Sequence, residues 1–227
     1  PVLVKPAKDT PLSCKSFVEI LYEAGLDERW CRFVPCSNDV AEQMVIDSRT
    51  AFFSFIGSAR VGWMLRSKLA PGTRLALEHG GAAPVLVDEG VASGKVIPPL
   101  LKGGFYHSGQ VCVSVQRVFV PRAELPDFAA ELAEGAEALT VGDPTKAETQ
   151  CGPLIRPAEV DRVASWVDAA VQGGARLAAG GKRMGSTLYQ PTVLVDPPCD
   201  ADVSRKEVFG PVVCIYGYDD VDAAIGQ

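Results

Sequence analysis

Residues 51–87 read AFFSFIGSARVGWMLRSKLAPGTRLALEHGGAAPVLV, and the order of segment types in them decides the fold class. Ala51 to Ile56 is an apolar run, as a strand buried on both faces would be. Gly57-Ser58 then opens a helix that runs to about Lys68. Leu75 to Glu78 and Val85 to Val87 read as further strands. Strand, helix and strand joined by short links predict an α/β fold with a parallel sheet covered by helices.

The same rhythm extends outward. Upstream, Val2 to Val4 is a short strand. A helix opens at Thr10 or Pro11, carries Phe17, Ile20, Leu21 and Ala24 at helical spacing, and closes at Gly25. Trp30 to Val34 reads as a strand and Ala41 to Ile46 as a helix. Downstream, helices are predicted over Val91 to Gly103, from near Gly109, over Leu125 to Ala138 and over Ala158 to Gly173. The last of these has Val160, Val163, Val167 and Val171 on one face. Arg117 to Val120, Ala175 to Ala179, Thr192 to Val195 and Val212 to Tyr218 are strand candidates. A domain boundary is expected near Leu77–Gly81. The chain has no initiator Met and ends in VDAAIGQ, inside what reads as a helix, so it is expected to be cut at both ends.

Composition narrows the function classes. The chain has 227 residues, of which 47% are hydrophobic, enough for a packed core. Its 28 acidic against 22 basic residues give a net charge of −6. That argues against a nucleic-acid or anionic-membrane surface. No apolar run reaches the roughly 18 residues of a membrane helix, and no signal peptide is visible at the start. Seven cysteines and two histidines, with no CxxC pair, fit neither a disulfide framework nor a zinc site. No metal is expected, and reduced cytoplasmic thiols, mostly buried, are the simpler reading.

Four residues could carry chemistry. Ser58 sits where a strand meets a helix start, a place for a phosphate or for an ordinary N-cap; GxGxxG is absent. Cys112, in FYHSGQVCVSVQRVFV, reads as a thiolate near a helix start or as an inert buried thiol. Glu78, at a strand end before Gly80-Gly81, reads as a tuned base or as an exposed strand-end residue. Glu207 in KEVFGP reads as a loop charge.

Five segments together resemble motifs of the aldehyde dehydrogenase superfamily. VLVKPAKDTPLS (2–13) resembles its KPxxxTP turn, FFSFIGSARVG (52–62) its FTGSxxVG, and LALEHGGAAPVLV (75–87) its LELGGKxPxIV. HSGQVC (107–112) resembles xxGQxC, and KEVFGPVV (206–213) resembles EEIFGPVV. The resemblance implies an aldehyde dehydrogenase-like fold truncated at both ends. Residues 1–78 would be the C-terminal part of an NAD(P)-binding domain, and 79–227 a catalytic domain without its C-terminal end. An Asn that completes the family's oxyanion hole would lie outside this chain.

The resemblance also implies roles. Cys112 would attack a small aldehyde and Glu78 would activate water to release the acid. Lys5 would hold the adenine-side ribose, and Gly57, Ser58 and Gly62 would form the pyrophosphate-binding helix start. Glu207 would hold the nicotinamide ribose, with Phe209 beside it. NAD-specific members often carry Glu where Lys8 stands, so the chain leans toward NADP or dual use. His79 replaces the usual Leu. Tyr106, Val111 and Val113 would line the aldehyde funnel, and because no Arg flanks Cys112 directly, an anionic substrate held at that spot is less favoured. The parent would be a cytoplasmic homodimer or homotetramer. Competing readings are a CoA-acylating relative, a thiol hydrolase using Cys112 with His107 or His79, and a folded fragment without activity.

Overall fold

The structure, a computed structural model, describes residues 1–226; Gln227, the last residue of the expected 79–227 domain, lies outside the described residues. The chain divides after His79 into two units, Pro1–His79 and the residues from Gly80 onward.

The first unit alternates strands and helices: β1 (Val2–Val4), α1 (Pro11–Glu23), β2 (Cys31–Phe33), α2 (Asn38–Ile46), β3 (Phe52–Gly57), α3 (Ala59–Arg66) and β4 (Arg74–His79). Pro11 starts α1, where the missing N–H has no helical partner to lose. α2 begins at Asn38, ahead of the expected Ala41, because Ser37 caps it: its Oγ accepts the Val40 N–H at 3.4 Å. β1 pairs with β2 and β3 with β4, both in parallel. Ile56 lies opposite Glu78, and Gly57 opposite His79. β3 is not buried on both faces as its apolar run predicts. Its side chains alternate, with Phe53 and Phe55 partly covered and Ile56 82% exposed. In this unit β3 pairs with one strand and packs on α3, which covers a single face.

The second unit contains β5 (Ala83–Leu86), α4 (Ser93–Phe105), a 3-10 turn (Tyr106–Gly109), β6 (Val115–Pro121), α5 (Leu125–Glu137), α6 (Pro157–Gln172), β7 (Arg176–Ala179), β8 (Thr192–Val195), α7 (Asp202–Arg205), β9 (Val212–Tyr218) and α8 (Val221–Ile225). The sheet order is β5-β6-β9-β8-β7, parallel except for β7 against β8. Both faces are covered. Val213 and Ile215 of β9 point toward Phe105 of α4 and Leu132 of α5. Val212, Cys214 and Tyr216 point toward Val160, Val163 and Val167 of α6. Each fully buried valine contributes about 1.5–3 kcal/mol, so the period of α6 alone ties that helix to the sheet.

The helix expected from near Gly109 does not form. His107, Ser108 and Gly109 have φ of 48°, 58° and 69°. Three successive left-handed residues reverse the chain, and a right-handed helix cannot pass through them. Cys112 therefore lies in a loop rather than at a helix start. The cysteines also differ from expectation. Only Cys31, Cys151 and Cys214 are buried, Cys14 and Cys36 are half-buried, and Cys112 and Cys199 are exposed.

Candidate active site

In open α/β sheets, ligands bind beyond the carboxyl ends of the strands. In the first unit three such ends carry candidate residues. β1 leads to Lys5, whose Nζ lies 3.5 Å from Asn38 Oδ1, and then to Lys8, exposed in the following turn. β3 leads to Gly57 and Ser58. Ser58 occupies the N-cap position of α3, yet its side chain makes no capping hydrogen bond. Its carbonyl instead accepts the Val61 and Gly62 N–H groups at 3.1 and 3.0 Å. The exposed hydroxyl and the first N–H groups of α3 thus stand at the positive end of the helix dipole. Glu78, at the end of β4, is exposed rather than buried, because it shares the uncovered face with Ile56. Gly62 is turned inward: a Cβ there would lie 2.1 Å from His79 Nε2. That nitrogen is buried with no hydrogen-bond partner among the described residues. The β3–β4 register therefore brings Gly57, Ser58 and Glu78 to one edge, with Gly62 and His79 packed behind it.

In the second unit Cys112 stands at the centre of a β-turn. The Ser114 N–H bonds to the Val111 carbonyl at 2.9 Å, which leaves Cys112 and Val113 at the two middle positions. The Cys112 N–H has no partner among the described residues. The loop before it is pinned from both sides. Ser108, 1% exposed, donates to the Gly152 carbonyl at 2.6 Å and lies 3.5 Å from Cys151 Sγ. Burial pushes the Cys151 thiol up. Gln110 Nε2 donates to the His107 and Pro153 carbonyls, both at 3.2 Å, and its Oε1 accepts the Ile155 N–H at 2.9 Å. Tyr106, Val111 and Val113 line one groove of about 300 Å³ together with Pro99, Lys102, Gly103 and Ser114.

A second turn is locked against this loop. A Cβ on Gly109 would lie 2.1 Å from the Gly210 carbonyl oxygen, so the two backbones touch. The turn ending at Gly210 carries Glu207 and Phe209. Glu207 is not a solvated loop charge. It is half-buried against Gly80, where a Cβ would lie 1.5 Å from its Oε1. Burial pushes its carboxyl up, and the Gly81 N–H and Arg162 partly offset this. Its Oε1 has no hydrogen-bond partner among the described residues. Phe209 is exposed, with its backbone at φ 47°.

A family model described as the aldehyde dehydrogenase family matches residues 1–227. The chain belongs to the aldehyde dehydrogenase family. A 3-sulfolactaldehyde dehydrogenase of Priestia megaterium is 37% identical over 227 residues, covering 100% of this chain and 47% of the relative. Aldehyde dehydrogenase 21 of Physcomitrella patens, solved with the reaction product succinate, superposes with a TM-score of 0.94 at 33% identity, covering 100% of this chain and 47% of that one. A succinate-semialdehyde dehydrogenase of Burkholderia pseudomallei gives a TM-score of 0.95 at 31% identity, covering 100% of this chain and 48% of that one. Among other similar solved structures, one holds NAD+ and another NADP. The chain spans about half the length of the curated relatives it matches. Within this aldehyde dehydrogenase chain no helix among the described residues is long and apolar enough to cross a membrane.

Two side chains that hold the turn around Glu207 escape a reading of the sequence. Gln116, 5% exposed on β6, donates through Nε2 to the Val203 and Lys206 carbonyls at 2.8 and 2.7 Å. Its Oε1 accepts the Val208 N–H at 2.8 Å. It thus holds both sides of Glu207. Arg162 of α6 adds a bond from Nη2 to the Val208 carbonyl at 2.7 Å. The one signal in the sequence is an amide near the start of a mostly apolar strand, which must be bonded if buried.

Proposed function

We propose that the whole protein carrying this chain oxidises a small aldehyde to a carboxylic acid with NAD or NADP, using Cys112 as nucleophile and Glu78 as base. The observation that carries the reading is the placement of Cys112. It sits exposed at the centre of a pinned turn, against the turn that holds Glu207. The Cys112 thiolate attacks the carbonyl carbon, a C–S bond forms, and the carbonyl electron pair moves to oxygen. The Cys112 N–H, without a partner among the described residues, donates to that oxyanion. The oxyanion re-forms the carbonyl as the aldehyde hydrogen leaves with its bonding pair, which leaves a thioester on Cys112; a bound nicotinamide dinucleotide would supply the acceptor for that hydride. Glu78 then takes a proton from the water that attacks the thioester, and the thiolate leaves as the acid is released. Glu78 favours this hydrolytic route over acyl transfer to CoA.

The residues fit the cofactor. Glu207 Oε1 is a buried acceptor without a partner among the described residues, suited to a ribose hydroxyl, and the Ser58 hydroxyl and the α3 N–H groups suit a pyrophosphate. Lys5 would hold the other ribose, and Phe209 would lie beside the nicotinamide. Gly62 supports that helix from within. Residues 1–78 would serve as part of the NAD(P)-binding domain and 79–227 as the catalytic domain. Lys8 leans the choice toward NADP or dual use. The parent is proposed as a cytoplasmic homodimer or homotetramer. The thiol-hydrolase reading leaves the α3 start and the Glu207 turn without a role. In the full-length protein, Cys112→Ala should abolish aldehyde oxidation while Glu78→Gln leaves a burst of reduced cofactor followed by a stall. Turnover in Cys112→Ala removes the nucleophile assignment, and loss of the burst in Glu78→Gln moves Glu78 to an earlier step.

A further inference from the structure

The groove beside Cys112 has walls from Pro99, Tyr106, Val111 and Val113, and one charged residue, Lys102. Lys102 lies on the last turn of α4, one turn before Tyr106, so both line the same side. A helix C-terminus favours a cation, but that leaves the ammonium free on a flexible stem. Lys102 makes no ion pair among the described residues, and no carboxylate lines the groove. Tyr106 and Val113 are exposed, so a charge in this open groove acts as a surface charge does, modest in strength and screened by salt.

We propose that Lys102 selects aldehydes whose far end carries a carboxylate or a sulfonate. The aldehyde carbon would face Cys112, the short body would lie on the two valines and Tyr106, and the anionic end would meet the ammonium. This rests on the reading of Cys112 as nucleophile, and it places the anionic end away from the spot beside Cys112, where an anion is less favoured. The residues flanking Cys112 carry no cation, and Lys102 comes from the preceding helix. An ammonium is a point charge on a mobile stem and accepts either anion without a fixed orientation.

The test compares succinic semialdehyde with butanal, two four-carbon aldehydes that differ in the charge of the far end. It uses the full-length protein, its Lys102→Met and Lys102→Arg variants, and Cys112→Ala. The ratio of kcat/KM for succinic semialdehyde to that for butanal should fall about fivefold in Lys102→Met, through KM rather than kcat. Lys102→Arg should keep the ratio, and added salt should lower it in the wild type. A ratio that stays constant in Lys102→Met, or a fall carried by kcat, overturns the assignment while leaving Cys112 as nucleophile. If the wild type oxidises neither aldehyde beyond the Cys112→Ala level, the nucleophile reading fails and this inference falls with it.

Discussion

Replacing Gln116 tests whether the turn around Glu207 is held from below. The Gln116 amide makes three hydrogen bonds of 2.7–2.8 Å, two as donor and one as acceptor. Leucine fills a similar volume and makes none of them. At about 1 kcal/mol net for each bond, the loss is about 3 kcal/mol, and groups left buried without water raise it. For a chain of this size, 1 kcal/mol moves Tm by about 2–4 °C, so Gln116→Leu should unfold about 6–12 °C lower. Gln116→Glu is the sharper case. A carboxylate still accepts the Val208 N–H but turns an acceptor toward the Val203 and Lys206 carbonyls. Protonation restores one donor, so the folded state raises the pKa of this new acid. Its stability is then kept at low pH and lost as pH rises through the folded value. Relative to wild type, Gln116→Glu should be closer at pH 5 than at pH 8. Thermal unfolding followed by circular dichroism reads both effects, and the KM for cofactor should rise in parallel. A fall of under about 1 °C in Gln116→Leu, or a Gln116→Glu deficit that shrinks toward pH 8, would refute the clamp.

Other consequences are open to simpler measurements. Gly109→Ala places a Cβ 2.1 Å from the Gly210 oxygen in a backbone of φ 69°, so Tm should drop and aldehyde oxidation should fall steeply; a variant with wild-type Tm and rate contradicts the close approach. Iodoacetamide at pH 8 should label Cys112 and Cys199 in the folded protein and reach Cys151 and Cys214 only on unfolding, since burial pushes the Cys214 thiol up to about 12. Peptide mapping that finds Cys214 labelled early would be incompatible with its burial. The Glu207 carboxyl sits above its ordinary 4.5 because of burial, so the fold binds that proton more tightly than the unfolded chain does and loses stability as pH rises through the folded value. Glu207→Gln should therefore raise Tm at pH 8 and not at pH 4, and an equal effect at both would exclude the burial argument. Lys8→Glu in the full-length protein should shift the KM ratio toward NAD about fivefold, less at high salt; unchanged constants make Lys8 a solvated turn residue.

What the sequence discloses and what it conceals follow from the range of the interactions. The valines of α6 and the apolar run of β9 specify their own elements, because helical and strand periods are local. The turn at Cys112 is different. His107 and Ser108 take left-handed conformations that neither residue favours alone. They hold them because Ser108 bonds to Gly152 and Gln110 bonds to Pro153 and Ile155, far along the chain. A helix from near Gly109 is the natural local reading of that segment, and it is wrong for this reason. β3 shows a second limit. Its composition says the strand is apolar, while which face is covered depends on what packs there. Glu207 shows a third: its burial comes from Gly80 and Gln116, neither of which is near it in sequence.

The contact between Gly109 and Gly210 is backbone against backbone. No side-chain exchange at position 210 can make room for a residue added at 109, and a Cβ at 210 would itself lie 2.7 Å from Val163. The pair therefore has no compensating mutation within reach. Lys102, Tyr106, Val111 and Val113, on the same loop and the helix before it, line an open groove. Mutational drift is closed on the face that fixes the turn of Cys112 and open on the face that lines the groove. With the roles proposed for Cys112 and the groove, such a loop could be recruited to a new aldehyde by changing one groove residue at a time, while its way of attacking a carbonyl would be inherited unchanged.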